Sequence, residues 1–451
     1  MISNWSIGGI WVGPLLILLL CTLFTLSNQA ATRQVPADFP TIQQALDASS
    51  DGDSVVVAAG IWFGSLDFGG RDLVLLGSGT STCILQGLAG RLLVFSRGES
   101  SAARLEGFTL RQGQAPTGAS NAGGAILIRD SSPTLRGNRF ELCSARQGGA
   151  VALIRSSSLL EGNEFDTNQA FMGGAVYVMG GAPELRSNRF LHNTGGLRGY
   201  GGALSLESTA ARVRQNLFVE NGAFLGGAIS CRLSPEALIE RNTIAGNEAR
   251  MGGGLYLAAG DPLVQGNLVA WSAQGEAAAS ALMASPMLGC NLHFDNAGGD
   301  GFPGQNQGGN RVLDPLCCDP QAGDYRLQPG SPCYSADCGI LGFTDENCQG
   351  TDILPHEITI AGCDLRIAPN PFNGRTWLSI TGDPGRDWRL ELYSITGRKL
   401  GELASSRTGH ARDMALDPTH RINGHALAAG VYFLRLTHAR GELCRKVVYL
   451  P

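Results

Sequence analysis

Six Gly-rich strings punctuate the middle of the chain at an almost constant interval. Gly123-Gly124-Ala125, Gly148-Gly149-Ala150, Gly173-Gly174-Ala175, Gly201-Gly202-Ala203, Gly226-Gly227-Ala228 and Gly252-Gly253-Gly254 step by 25, 25, 28, 25 and 26 residues. A second series keeps pace: Asn138-Arg139-Phe140, Asn163-Glu164-Phe165, Asn188-Arg189-Phe190, Asn216-Leu217-Phe218, Asn242-Thr243-Ile244 and Asn267-Leu268-Val269. Two series in register define a structural repeat, in which each unit leaves an apolar face for the next unit to cover.

Each Gly-Gly string leads into an apolar-variable-apolar triplet, such as Ile126-Leu127-Ile128, Val176-Tyr177-Val178, Leu204-Ser205-Leu206 or Leu255-Tyr256-Leu257. Alternation with period two over β-favouring residues marks a short strand with one face inward. Three residues before each Asn runs another apolar column, Leu135, Leu160, Leu185, Val213, Ile239 and Val264. The Gly pairs and the Asn residues are expected to make the corners, because both tolerate left-handed backbone. The pattern predicts an all-β chain built as a parallel β-helix, one coil per unit. Less regular coils over 53–122 bring the array to about nine or ten. Composition agrees: Gly at 63 of 451 residues is spread along the chain, which penalises a helix bundle by ~1 kcal/mol per interior Gly. It is far from the one-in-three of collagen.

Stacked coils imply ladders of like residues. The Asn138 column and a second column, Cys143, Asn168, Asn193, Asn221, Asn247 and Ser272, are read as internal amide ladders. Carboxylates suited to sugar chemistry would have to converge, and the best cluster is Glu141, Glu164 and Asp166. Its neighbours alternate in sign, as Arg139, Glu164, Arg189 and as Arg136, Glu161, Arg186, so a charge-compensated face is expected and no catalytic residue is assigned.

The Gly-Gly-Ala-apolar string at 173–176 and Asn163-Glu164-Phe165 through Asn168, with their counterparts, resemble the repeats of polymorphic outer-membrane proteins. More broadly they resemble right-handed β-helix proteins related in fold to pectate lyases. The resemblance covers about half the chain and implies a right-handed β-helix with little said about chemistry. Ahead of the repeats, Thr41 to Asp47 reads as a short amphipathic helix, and Gly52 to Trp62 as turn, strand and corner. This segment looks like the entry cap of secreted β-helix proteins, carbohydrate esterases among them. Phe63-Gly64-Ser65 stands where such esterases carry an acidic residue.

The ends point to export. Val12 to Leu26 is apolar and is followed by small residues to Ala31, as in a secretory signal peptide. Seven Cys from Cys290 to Cys363 lack metal-ligand spacing and read as disulfides of a C-terminal cap. Asp295 to Asp300 offers oxygen ligands for Ca²⁺, but its spacing misses the EF-hand pattern and a Gly-rich turn explains it as well. From Ile367 the chain shows strand and turn signals of a small antiparallel sandwich. Pro369-Asn370-Pro371-Phe372, Leu392 to Arg398 with Gly397, Ala429-Gly430-Val431-Tyr432-Phe433 and Lys446-Val447-Val448 are similar to the C-terminal sorting domain of the type IX secretion system. Hook-capping immunoglobulin-like domains share the pattern. The resemblance implies passage through outer-membrane secretion machinery and a location outside the cell or on the outer-membrane surface. Cys363 and Cys444 depart from a Cys-free pattern and are candidates to pair.

The expected organisation is a signal peptide at 1–31, the capped β-helix at 32–285, a Cys-rich cap at 286–350, a linker at 351–364 and an immunoglobulin-like sorting domain at 365–451. A net charge of -5 supplies no footprint for nucleic acid, and the membrane is met only through the leader or surface attachment. The flattest outward face is expected along the Ala125, Ala150, Ala175, Ala203, Ala228 column and the Leu127, Ala152, Tyr177, Ser205, Ser230, Tyr256 column. The adjoining corners carry Arg146, Phe171, Arg198, Tyr200, Phe224 and Arg250. Aromatic and Arg side chains on a flat strip suit a polysaccharide or a surface protein. Phe171, Tyr177, Arg198, Tyr200, Phe224, Arg250 and Tyr256 are therefore the candidate ligand-binding residues. The function read from this is an adhesin-like binding or structural role, with a polysaccharide lyase or hydrolase as the alternative.

Overall fold

The structure is a computed structural model that describes residues 30–118, 121–281, 284–335, 337–343, 348, 363–368, 375–382, 388–394, 399–405, 413–416, 430–438 and 441–449. The described residues fall into two compact units divided between Cys348 and Gln349. The first is a parallel β-helix. Three long parallel sheets of twelve, eleven and nine strands run along it, here called sheets A, B and C in that order. A typical coil passes from Ile126–Arg129 in sheet C to Thr134–Arg136 in sheet A and Arg139–Glu141 in sheet B, then through the Gly pair to Val151–Ile154 in sheet C.

The apolar columns stack as expected. Leu135 pairs with Leu160, Leu160 with Leu185 and Leu185 with Val213 in sheet A. In sheet B the rings of Phe140, Phe165, Phe190 and Phe218 lie nearly parallel, with centroids 4.8, 4.8 and 4.6 Å apart. That is the strand spacing itself, so each ring covers the next and all four are fully buried.

The corners differ from expectation in an instructive way. The first Gly of each pair is left-handed, Gly148 at φ 62° for example, but the Asn residues are not. The left-handed residue is the one before each Asn: Thr167 at φ 55°, His192 at 54° and Glu220 at 53°. The Asn side chains instead turn inward and saturate the corner backbone. Asn193 Oδ1 accepts from Asn168 N and Nδ2, both at 3.0 Å, while Asn193 Nδ2 donates to Phe165 O at 2.9 Å. Such pairing is what a buried corner requires, since each unpaired polar group costs about 1–3 kcal/mol.

The ladders run past the point where the repeat fades in the sequence. Asn267 N donates to Asn291 Oδ1, Asn291 N to Asn310 Oδ1 and Ser272 N to Asn296 Oδ1. Strands Leu292–Phe294 and Arg311–Val312 extend sheet B accordingly. At the start of the array Thr41 Oγ1 caps the helix Ile42–Asp47, whose Ile42, Ala45 and Leu46 are buried. At the far end Cys290–Cys338 and Cys318–Cys348 are disulfides. The cap also carries the antiparallel pair Cys317–Asp319 and Asp324–Leu327.

The second unit contains two antiparallel sheets. One joins Cys363–Ala368, Thr376–Gly382 and Asp413–Leu416; the other joins Lys399–Ser405, Arg389–Ser394, Gly430–His438 and Gly441–Tyr449. Leu365, Leu378 and Leu416 from the first meet Leu390, Leu392, Leu434 and Val447 from the second in one apolar core, the arrangement of a small sandwich.

Candidate functional site

The outward face expected beside the Gly pairs needs two corrections. Ala125, Ala150, Ala175, Ala203 and Ala228 are all fully buried in the main core. The backbone gives the reason: Ala150 N and Val151 N both donate to Ala175 O, at 2.9 and 3.0 Å. Two successive amides on one carbonyl mean that the backbone turns just before the strand begins at Val151, so strand alternation does not run through Ala150, and Ala and Val both point inward.

The second column does lie on the far side of sheet C, but most of it is covered. Leu127, Ala152, Tyr177, Ser205 and Ser230 are at most 5% exposed. The chain ahead of each Gly pair folds back tightly over the strand: a Cβ on Gly148 would meet Val151 O at 2.1 Å and Tyr177 N at 3.0 Å. Ala122 consequently packs with Leu127, Ala152 and Ile154 in a small outer cluster. Tyr177 is thus no open platform. Its hydroxyl donates to Glu207 Oε2 at 2.7 Å, and burial first, then the Glu207 carboxylate, push the phenol well above its ordinary range. Beside it the hydroxyls of Ser205 and Ser230 are buried without a hydrogen-bond partner.

What stays accessible is the corner itself. The 28-residue coil adds strand Thr194–Tyr200, which joins Gly222–Leu225 and Glu248–Met251 in a three-stranded parallel sheet along that corner. Register pairs Met172 with Tyr200, Tyr200 with Leu225 and Leu225 with Met251. Phe171 is 40% exposed and meets Tyr200 edge-on at 5.9 Å. Arg232 lies over the Tyr200 ring at 4.7 Å and Arg250 over the Phe224 ring at 5.4 Å. Tyr200, Phe224 and Tyr256 are half-buried, whereas Arg198 and Arg250 are exposed. Five of the expected residues therefore gather along one edge: Phe171, Arg198, Tyr200, Phe224 and Arg250. Arg232 joins them through its contact with Tyr200, and Glu207 is the register partner of Arg232 in sheet C. An exposed ring such as Phe171 can pack on a sugar face while the neighbouring guanidinium groups hold hydroxyl or carboxylate oxygens.

The acidic cluster on sheet B, Glu141, Glu164 and Asp166, is matched by three arginines, Arg139 with Arg111 beside Glu141 and Arg189 beside Glu164. Arg139 reaches Glu141 at 2.8 Å, Glu164 at 2.8 Å and Asp166 at 3.0 Å, and His192 Nδ1 lies 3.0 Å from Asp166. On sheet A, Glu161 sits between Arg136 and Arg186. Burial alone would raise its carboxyl, but the Arg136 hydrogen bond, with the charges of Arg136 and Arg186, holds it below the usual range.

Sequence reasoning missed His293. It stands opposite Val269 and Val312 in sheet B, in the column of the stacked Phe rings, and is fully buried. Its ring stacks on Phe302 at 4.1 Å, and Nδ1 lies 3.3 and 3.2 Å from the carbonyls of Asp300 and Gly301. Nε2 has no partner, and burial pushes the imidazole down to about 4 despite Asp300. The signal was Asn291-Leu292-His293, which continues the Asn-x-Phe series 24 residues after Asn267.

The loop weighed for Ca²⁺ is closed on itself: the Asp300 carboxylate accepts from Asp295 N at 3.1 Å, Asn296 N at 3.2 Å and Asn296 Nδ2 at 2.6 Å. Among the described residues no three His, Cys, Asp or Glu side chains are placed to share a metal ion. Pro369, Asn370, Pro371, Phe372, Gly397 and residues 1–29 of the expected signal peptide lie outside the described residues. Gly430 opens a strand, Tyr432 packs on the sandwich core, and Lys446 sits opposite Phe433 in the last strand. Only the backbone is described at Cys363 and Cys444. No described helix is long and apolar enough to cross a membrane.

A family model for the right-handed beta helix region matches residues 96–244. No curated protein matches the sequence. Among solved structures, a mutant of AlyGC, a PL6-family alginate lyase, shares 14% identity over 76% of this chain, with a TM-score of 0.35. This chain spans only 60% of that enzyme's length. ORF18 of Geobacillus virus E2 shares 10% identity over 97% of this chain and 79% of its own, with a TM-score of 0.28.

Proposed function

We propose that this protein is an exported β-helix that binds an extended polysaccharide along the Phe171–Phe224 corner. The observation that carries the reading is the row of partly exposed rings on successive coils, Phe171, Tyr200 and Phe224, with Arg232 and Arg250 laid over the latter two. Coils rise by ~4.8 Å, so the row presents partly exposed rings and guanidinium groups at regular intervals to an extended chain. The rings are held in place by the corner sheet, which lowers the ordering cost of binding. The disulfides of the cap support export, since such bridges persist in oxidising compartments. We assign the C-terminal sandwich to passage through the outer membrane and to surface attachment.

The purified mature chain, titrated against a panel of plant and bacterial polysaccharides, tests the reading with binding and cleavage scored together. The expected outcome is binding without chain cleavage, reduced at least tenfold in Phe171→Ala/Phe224→Ala with the thermal midpoint unchanged. Release of new sugar ends would favour the lyase or hydrolase alternative. Unaltered affinity in the double variant would remove the corner as the site. Deleting 349–451 should leave a folded β-helix that no longer reaches the cell surface; normal display of that truncation would refute the sorting assignment.

A further inference from the structure

Among the described residues five buried cysteines stand outside the two disulfides: Cys83, Cys143, Cys231, Cys317 and Cys333. The first three belong to the long β-helix core, where Cys231 for example stands between Leu206 and Leu257. Cys317 and Cys333 share a different and smaller cluster, with Leu268, Ala270, Leu292, Leu327 and Leu341. Their two segments are stitched together. Gln328 N donates to Leu316 O and Gln328 Nε2 to Cys317 O, both at 2.8 Å. The Ser331 hydroxyl donates to Pro315 O at 2.6 Å and accepts from Cys333 N at 3.1 Å. One buried hydroxyl thus bridges the backbone two residues before Cys317 to the amide of Cys333.

The neighbours of both thiols are already oxidised. Cys318, next to Cys317, is bonded to Cys348, and Cys338, five residues after Cys333, is bonded to Cys290. A cap that acquires those two bridges forms under conditions that oxidise any other thiols held within reach. We propose that Cys317 and Cys333 form a third disulfide of the cap.

The chemistry is an exchange with an external disulfide of the compartment. One cysteine thiolate opens that disulfide to a mixed disulfide, and the second displaces it. The Cys317–Cys333 sulfur bond forms, the external sulfur bond breaks, and two electrons and two protons leave with the carrier as two thiols. The attacking species is the thiolate. In the closed cap, burial, with a smaller effect of the paired thiol, pushes Cys317 up to about 12, and burial pushes Cys333 up to about 11. Exchange therefore belongs to folding, while the segment 328–333 is still open to solvent, and the same burial afterwards shields the bond from reductants. The bridge would clamp the pair Cys317–Asp319 and Asp324–Leu327 onto Leu268 and Leu292, the apolar end of the last coils.

The test uses the full chain made in an oxidising compartment, alkylated in denaturant without reductant, digested and mapped by mass spectrometry. Cys317 and Cys333 should be unalkylated and joined, with Cys83 and Cys143 alkylated in the same sample. Fragmentation separates this bond from that of the adjacent Cys318. In Cys333→Ala, Cys317 should become fully alkylated while Cys290–Cys338 stays joined. Alkylation of both Cys317 and Cys333 in the unaltered chain, with Cys290–Cys338 intact, would overturn the proposal. So would Cys317 joined to any other cysteine.

Discussion

Two ladders climb the same coils with the same period, one of buried amides at the corners and one of charged side chains on the outer faces. Asn163, Asn168, Asn188 and Asn193 are at most 1% exposed, and each satisfies backbone groups of neighbouring coils as well as the next amide. Arg139, Glu164 and Arg189 repeat as regularly, yet their side chains are 38%, 30% and 48% exposed. Water competes for every one of those pairs, so the charged ladder contributes little per rung, whereas an amide removed from the buried ladder leaves buried polar groups short of a partner that water cannot replace. Periodicity in a solenoid therefore does not rank residues by importance; burial does.

The largest expected effect comes from breaking the amide ladder. Asn193→Ala strips partners from Asn168 N, Asn168 Nδ2 and Phe165 O, and should cost at least ~3 kcal/mol in denaturant unfolding. Hydrogen exchange should rise first in the coils that contain Asn168 and Asn221. A loss below ~1 kcal/mol would place the amide ladder on a par with the charged one.

His293 sharpens the same comparison, as a buried polar ring in a column of apolar ones. Its imidazole is lowered from 6.5 to about 4 in the fold, so the folded state resists protonation. Its neutral form supports full stability above pH ~6.5, and stability falls as pH drops from there towards 4, by roughly 3 kcal/mol in total. His293→Leu should remove that part of the acid sensitivity. Urea unfolding of both proteins at pH 7 and pH 4.5 checks it, and equal pH dependence would contradict the assignment.

The smallest effects belong to the charged ladder. Glu161→Gln breaks contacts with both Arg136 and Arg186 and should cost no more than ~1 kcal/mol, with the difference shrinking at high salt. Because the carboxyl is held below its usual range, its contribution is present above pH ~4.5 and fades as pH falls further. Glu164→Gln should cost ~0.2–1 kcal/mol. A loss of several kcal/mol in either variant would overturn the contrast.

Much of this was legible in the repeat. Columns such as Leu135-Leu160-Leu185 and Phe140-Phe165-Phe190 needed only their spacing, because strand alternation and coil stacking leave one arrangement that buries them. The charged rungs were legible for the same reason. The covered face of sheet C was not. Alternation says on which side of a strand Tyr177 and Ser205 lie, but the close return of the chain at Gly148 and Gly173 decides whether that side meets water. The backbone turn before each strand, marked by the shared carbonyl of Ala175, set the Ala column inward and left no trace in the pattern. The pairings Cys290–Cys338 and Cys318–Cys348 likewise depend on where the cap folds back, which spacing alone does not encode.

The two outer surfaces, the aromatic corner and the charged face of sheet B, make opposite claims on a ligand. Side-chain footprinting of the protein with and without a bound polysaccharide decides between them most directly. The account predicts protection of Phe171, Tyr200 and Phe224, with His192 and the neighbouring face of sheet B unchanged. Protection of His192 and its carboxylate neighbours, with Phe171 and Phe224 as reactive as in the free protein, would contradict it.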